Sequence, residues 1–141
     1  MSKRVLVPLA PGCEELEAVT VIDLLRRAGI EVVVAGLCDG VITASRGVRL
    51  LADVSLDEAL QQDYDMVALP GGLPGSDHLA NDQRITQILQ KMSKSGRFVG
   101  AVCAAPKALA RSGVLNGKMA TAYPGVLQAE GHPYITGDAV T

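Results

Sequence analysis

Short apolar segments that alternate with stretches of helical spacing constrain the fold of this chain more than any other feature. The apolar segments cover residues 4–10, 31–36, 65–69 and 97–102. Short, continuous apolar segments are typical of strands that are buried on both faces of a sheet. Their alternation with helices therefore predicts an α/β domain in which a parallel sheet lies between two layers of helices.

The segments between these strands carry helix signals. Residues 14–28 have apolar positions near helical spacing, acidic residues in the first turn, arginines in the last turn and Gly29 after the end, as expected for a helix whose charges match its dipole. Ser55 and Glu58 have the spacing of a capping box, which predicts a short helix up to Gln61. We also predict helices over residues 82–93, with Asn81 as N-cap, and over 104–110. Residues 41–51 are expected to form a hairpin or an edge flap, and residues 119–122 and 134–136 weak strands.

Composition narrows the possible functions. The 141 residues suit a single domain, residues 1–141, and 48% of them are hydrophobic, which is enough for a packed core. The net charge is -2 with both signs interspersed, so we expect no nucleic-acid partner and no membrane partner. We recognise no targeting signal and no apolar segment long enough to span a bilayer.

The three cysteines, Cys13, Cys38 and Cys103, are odd in number and far apart in the chain. This pattern argues against a disulfide framework and against a zinc site. We therefore expect reduced thiols, a cytoplasmic protein, and neither a metal nor a cofactor.

A sharp turn around Cys103 is the strongest candidate for a reactive site. Sites of parallel sheets lie beyond the carboxyl ends of the strands, and the fourth strand runs directly into Cys103. The small residues Ala101 and Ala105 stand two positions before and after it, and Pro106 fits the first turn of the next helix. This is the pattern of a nucleophile elbow. A thiol at a helix N-terminus is expected to have a lowered pKa, but the turn alone fits an inert buried cysteine equally well.

Two other segments at the same edge of the sheet supply candidate partners for this cysteine. The Gly-Gly pair after the third strand lets the backbone approach closely, so the N–H groups of Gly72 and Ala104 would form an oxyanion hole. Glu17, one turn into the first helix, would face the cysteine. Each feature also has a simpler interpretation: a tight loop for the glycines, and a solvated acid at a helix N-terminus for Glu17.

Together these segments resemble the ThiJ/PfpI superfamily, and within it the DJ-one branch of parkinsonism-associated deglycases. The matching residues are 10–17, 69–72 and 101–106, with further matches at 26–30 and 45–46. The resemblance covers nearly the whole chain, and the order of its Glu, Gly-Gly and Cys segments makes it specific. It implies a flavodoxin-like three-layer sandwich with a mostly parallel sheet, and usually a homodimer.

The resemblance also implies roles for individual residues. Cys103 would be the nucleophile and the oxidation-sensitive thiol, and Glu17 would be the carboxyl group that hydrogen-bonds it. Gly72 and Ala104 would donate the N–H groups of the oxyanion hole. Because two anions in contact repel each other, a Cys103 thiolate requires a protonated Glu17, which we expect at neutral pH.

The implied activity is that of a cysteine-dependent hydrolase or lyase. Its substrates would be small reactive carbonyls or glycated proteins, as in glutathione-independent glyoxalases and deglycases, with a role in oxidative and carbonyl stress. The alternative is a non-enzymatic redox sensor or holdase chaperone that uses the same cysteine. A structural fragment without activity is a third interpretation.

The chain departs from this branch in three places. Tyr123 stands where a histidine is common, and neither His78 nor His132 matches that position, which argues against a Cys–His protease. Cys13 stands where alanine is common. We interpret it as an incidental loop thiol, the alternatives being a position near the reactive cysteine or a dimer contact. The chain stops at Thr141, so we expect it to lack the strand, Gly-Pro-Gly loop and helix that close the domain in relatives.

Overall fold

The computed structural model describes residues 2–141, and this part of the chain forms seven strands and six helices. In chain order they are β1 (Arg4–Leu9), α1 (Glu15–Arg27), β2 (Glu31–Gly36), β3 (Ile42–Thr43), β4 (Arg49–Leu50), β5 (Val54–Ser55), α2 (Leu56–Ala59), β6 (Met66–Leu69), α3 (Gly75–Asn81), α4 (Gln83–Lys94), β7 (Phe98–Ala101), α5 (Pro106–Ser112) and α6 (Val126–Ala129).

Five of the strands form one parallel sheet in the order β5-β2-β1-β6-β7. The central strand β1 pairs with β2 from Arg4 opposite Glu31 to Leu9 opposite Gly36, and it pairs with β6 on its other side. β6 and β7 are parallel as well, so the predicted parallel pairing is confirmed. The chain passes from β1 to β2 on one side and later to β6 on the other. Such a switch point opens a crevice at the carboxyl ends of the strands.

Each face of the sheet has its own aliphatic core, because side chains of β1 alternate between the two faces. Leu6 is fully buried in a cluster that includes Leu89 of α4 and further residues of α3 and α5. Val7 is buried on the other face with Ala18 of α1 and Ile42 of the β3–β4 hairpin. Helices therefore cover both faces, and the predicted three-layer α/β architecture is confirmed.

Helix α3 is the main element that the sequence pattern does not predict. Its buried apolar side chains are only Leu79 and Ala80, too few to give a periodic signal. Asn81 is its last residue, so the prediction that Asn81 caps the next helix is wrong. Asp82 is the N-cap of α4 instead, and its carboxylate accepts a hydrogen bond of 2.9 Å from the backbone N–H of Arg84.

The other local predictions differ in detail. The predicted hairpin forms as the antiparallel pair β3–β4, and the helix predicted from residue 104 begins at Pro106. The two weak strands predicted near the end of the chain reduce to one parallel bridge between Ala120 and Ile135. Within residues 2–141, the helices are all too short or too polar to cross a membrane.

Candidate active site

Cys103 lies in a strained turn between β7 and α5. Its φ angle is 57°, and it is the one non-glycine residue with a positive φ among residues 2–141. A conformation of this kind costs on the order of 1–3 kcal/mol and persists only where the surrounding structure enforces it. The next two residues, Ala104 and Ala105, are buried, and Pro106 is the first residue of α5. The predicted elbow is thus confirmed, and small neighbours make room for it.

Backbone hydrogen bonds hold this turn from two sides. The carbonyl of Cys103 accepts a bond of 2.8 Å from the N–H of Tyr123, and the carbonyl of Val102 accepts one of 3.0 Å from the N–H of Ala105. The first bond joins the elbow to a segment twenty residues further along the chain. These contacts fix the position from which the Cys103 side chain projects.

Glu17 reaches the elbow from the first turn of α1. Its Oε1 accepts a hydrogen bond of 2.9 Å from the backbone N–H of Gly71, and its carboxyl group also contacts the Cys103 thiol. The glycine is required at this point. A Cβ atom on Gly71 would lie 2.5 Å from the Cys103 Cβ and 2.6 Å from Oε1 of Glu17. Glu17 and Cys103, 86 positions apart in sequence, are therefore brought together as predicted.

The N–H groups of Gly72 and Ala104 both approach the sulfur of Cys103 and lower its pKa. Gly72 has a φ of 93° and packs against the backbone of residues 12–14 so closely that a Cβ there would collide with it. The carbonyl of Gly71 accepts a bond of 2.9 Å from the N–H of Glu14, which ties the glycine loop to the start of α1. The two predicted donors thus both act on the same sulfur.

The pKa of the Cys103 thiol is nevertheless raised. Burial is the largest cause, and the charge and hydrogen bond of Glu17 act in the same direction, while the N–H groups of Gly72 and Ala104 act against them. The expectation that a helix N-terminus lowers the pKa of Cys103 is therefore wrong. Helix α5 begins only at Pro106, three residues after Cys103, so the sulfur does not lie in its first turn. A carboxylate and a thiolate in contact repel each other, so the Glu17–Cys103 pair holds one negative charge at a time.

Residues 3–137 match the DJ-1/PfpI family. The chain belongs to the DJ-1/PfpI family. It is 46% identical over 125 residues to the protein dj-1beta of Drosophila melanogaster, covering 88% of this chain and 67% of that protein. It is 34% identical over 114 residues to a Caenorhabditis elegans protein named glutathione-independent glyoxalase DJR-1.2, covering 80% of this chain and 61% of that protein.

Solved structures of the DJ-1/PfpI family share the fold. The crystal structure of Drosophila melanogaster DJ-1beta superposes with a TM-score of 0.92 at 42% identity, covering 98% of this chain and 75% of that chain. The chain spans between 28% and 67% of the length of the first curated relatives that it matches.

The other two cysteines of this DJ-1/PfpI chain differ sharply from Cys103. Cys13 is only 1% exposed, and burial, followed by the charge of Glu15, raises its pKa to about 11. Its carbonyl accepts a hydrogen bond of 2.8 Å from Ser45, which makes it part of the packing beneath the glycine loop. Cys38 is exposed on the loop after β2. Cys13 is thus a buried packing residue, in line with its interpretation as an incidental thiol.

Tyr123 is joined to the elbow through its backbone, and its side chain is 62% exposed. His132 contacts the carbonyl of Lys118 at 2.7 Å, and His78 lies on α3 beside a groove that also includes Cys38. No cluster of three or more His, Cys, Asp or Glu side chains within residues 2–141 is arranged to hold a metal ion.

A larger groove of about 620 Å³ lies along β7, α5 and the segment that follows α5. Phe98, Ala101, Leu109 and Met119 contribute to its lining, and Cys103 does not. Glu17, Gly71 and Cys103 instead lie together at the carboxyl ends of β1, β6 and β7. Gly71 is the one residue of this site that has no predicted role. The Gly-Gly pair in the sequence is the signal that indicates a close backbone approach at this position.

Proposed function

We propose that this protein converts small reactive carbonyl compounds, above all α-oxoaldehydes such as methylglyoxal, through covalent addition to Cys103. The observation that carries the proposal is the convergence of a carboxyl group and two backbone N–H groups on one thiol in a strained turn. A thiol that merely packs needs none of these. The similarity to a worm protein named as a glutathione-independent glyoxalase supports the choice of substrate class.

The first step is attack of the Cys103 sulfur, as thiolate, on the aldehyde carbon. An S–C bond forms, the C=O π bond breaks, and negative charge develops on the former carbonyl oxygen. The N–H groups of Gly72 and Ala104 are the donors available to that oxygen. Glu17 transfers its proton to the oxygen, giving a neutral hemithioacetal and leaving Glu17 as a carboxylate.

The second step is a proton shift between neighbouring carbons. The Glu17 carboxylate removes the proton from the carbon bonded to sulfur, which gives an enediolate. The hydroxyl proton of that carbon passes to the oxygen of the adjacent carbon, and Glu17 then returns its proton to the adjacent carbon. The first carbon is thereby oxidised to a thioester and the second is reduced to an alcohol, so the electrons balance within the substrate. Water then cleaves the S–C bond, releases a 2-hydroxy acid and regenerates the thiol. In an early carbonyl adduct on a protein, the former aldehyde carbon bears a hydroxyl group and a protein amine or thiol, so the adduct first releases the protein group and the free aldehyde then follows the same route.

Turnover of methylglyoxal by the purified chain tests this proposal. We expect formation of lactate by the wild type and by Cys38→Ala, and loss of at least about a hundredfold in Cys103→Ala, because removal of a covalent nucleophile abolishes the route. Equal turnover by the wild type and Cys103→Ala would refute it.

A redox sensor that uses the same thiol is the second candidate, and the exposure of the thiols favours it over a passive role. Cys103 is partly exposed next to a carboxyl group, whereas Cys13 is enclosed and has a pKa of about 11. Selective oxidation of Cys103 by peroxide in a protein that does not turn over methylglyoxal would favour this candidate.

We further propose that the protein is a cytoplasmic homodimer. Unpaired thiols suit a reducing compartment. An exposed apolar surface formed by Leu16 and Val19 of α1, with Val48 of the hairpin, supports the dimer: Leu16 is 74% exposed, and Glu15 accepts a hydrogen bond from the N–H of Val48. Leu16→Glu should convert a dimer into a monomer in sedimentation experiments, and an unchanged mass would contradict this surface.

A further inference from the structure

A partly buried ion pair connects the two helices that follow the candidate oxyanion donors. The Nζ of Lys107 on α5 lies 2.6 Å from Oδ1 of Asp77 on α3, and the Lys107 side chain is only 15% exposed. Asp77 lies in the first turn of α3, directly after the glycine loop, and Lys107 is the second residue of α5. The ion pair therefore joins the first turn of α3, which follows Gly72, to the first turn of α5, which follows Ala104.

The position of Lys107 is unfavourable on local grounds alone. A cation in the first turn of a helix opposes the helix dipole, and burial of an ammonium group costs free energy unless it is paired. The negative charge of Asp77 offsets both the unfavourable dipole of α5 and the cost of burying the ammonium group. Asp77 itself lies in the first turn of α3, where the helix dipole favours an acidic residue. Residues that break a local rule in this way are often retained for a function.

Backbone bonds continue the connection from the ion pair to the site. The N–H of Ser76, next to Asp77, donates a hydrogen bond of 2.8 Å to the carbonyl of Gly72, and the N–H of Lys107 donates one of 3.4 Å to the carbonyl of Ala104. Asp77 is thus next to a residue that is hydrogen-bonded to Gly72, and Lys107 is itself hydrogen-bonded to Ala104.

We propose that Lys107 and Asp77 are positioning residues that hold the Gly72 and Ala104 N–H groups at a fixed separation around the sulfur of Cys103. This inference rests on the role proposed above for these two N–H groups. Neither side chain contacts the thiol in the proposal. They act by locking the glycine loop to the elbow.

The test is the rate of alkylation of Cys103 by iodoacetamide as a function of pH, in a Cys38→Ser background. This readout reports on the environment of the sulfur and does not depend on turnover. In Lys107→Met we expect the alkylation profile to move to higher pH and the rate near neutral pH to fall about tenfold, which corresponds to about one pKa unit. Asp77→Asn, which keeps the side-chain volume, should shift it in the same direction, and it serves where Lys107→Met does not fold.

Arg111→Met is the matched control. Arg111 lies one turn further along α5, where it forms an ion pair with Glu130 at 2.9 Å and donates a hydrogen bond of 2.9 Å to Asn81, one turn further along α3. It belongs to the same helix contact but lies beyond the site, so its loss should leave the alkylation profile within about twofold of the wild type. An equal shift in this variant would mean that the helix contact acts only through general stability, and it would overturn the proposal.

The exchanged pair Asp77→Lys with Lys107→Asp separates position from charge. It restores a bridge between the two helices but places a negative charge on the side of the cysteine. Recovery of the wild-type profile supports positioning, whereas a profile shifted as far as in Lys107→Met would show that the lysine acts by its charge and would contradict it. With lactate formation measured in parallel, we expect kcat to fall in the single variants with little change in KM. Altered alkylation without any turnover would support the positioning role and reject the proposed reaction.

Discussion

Replacement of Glu17 by glutamine decides where the proton of the Glu17–Cys103 pair resides. A glutamine amide has the shape of the carboxyl group. Its oxygen can accept the hydrogen bond that Gly71 donates to Glu17 Oε1 at 2.9 Å, and its NH2 group can donate to the sulfur. The substitution therefore removes a charge, if one is present, while it keeps both contacts.

The size of the effect follows from the contact between the two groups. Two unit charges about 4 Å apart interact by about 4 kcal/mol at an effective dielectric constant of about 20, which is equivalent to about three pKa units. Both side chains are partly exposed, so screening by solvent reduces this to about one unit or more. If Glu17 already carries the proton when Cys103 is a thiolate, as we predict, glutamine mimics it and the thiol pKa changes by less than about half a unit.

The measurement is the ultraviolet absorbance of the Cys103 thiolate against pH in the wild type and Glu17→Gln, both in a Cys38→Ser background. Glu14→Gln is the control, because Glu14 lies on the same helix start but binds Leu16 and Ser45. It should leave the titration unchanged. A fall of one unit or more in Glu17→Gln alone would mean that Glu17 is an anion that repels the thiolate, and the proton assignment would be wrong. Methylglyoxal turnover should fall in Glu17→Gln in either case, because the amide cannot shuttle a proton.

Three further predictions concern the elbow and the fold. Mild peroxide should modify Cys103 before Cys13 and Cys38, as read by peptide mass mapping, and preferential modification of Cys38 would contradict the assignment. Gly71→Ala should lower the free energy of unfolding by about 1–3 kcal/mol in urea titrations, with loss of turnover, because its Cβ would collide with the site at 2.5 Å; a fully stable, active variant would refute the close approach. The side-chain hydrogen bond of Arg84 leads the causes that lower the pKa of Asp82. The stability from this pair is therefore present above the unfolded pKa of about 3.9 and is lost as pH falls through the folded one, so Asp82→Ala should destabilise the protein at pH 7 by about 1–2 kcal/mol and flatten its acid unfolding curve.

The features that sequence alone determines are those encoded by neighbouring residues. The apolar segments that form β1, β2, β6 and β7 are recognisable because a buried strand must be apolar along its length. The turn at Cys103 is recognisable because only small residues fit around it. The match of three short segments to one family then places Glu17, Gly72 and Ala104 with this cysteine. Each of these features can be recognised in the sequence without knowing which distant residues pack against it.

The tertiary structure decides what depends on contacts between distant segments. Helix α3 has too little apolar surface to be recognised alone, and it forms because it packs beside α5. Whether the pKa of Cys103 rises or falls depends on burial and on Glu17, which is 86 positions away in sequence. The need for glycine at position 71 depends on the same two side chains. Lys107 reads locally as an ordinary surface lysine, and only the approach of Asp77 from α3 shows that it is held in place. Propensity and pattern act over a few residues, whereas packing and electrostatics act through space.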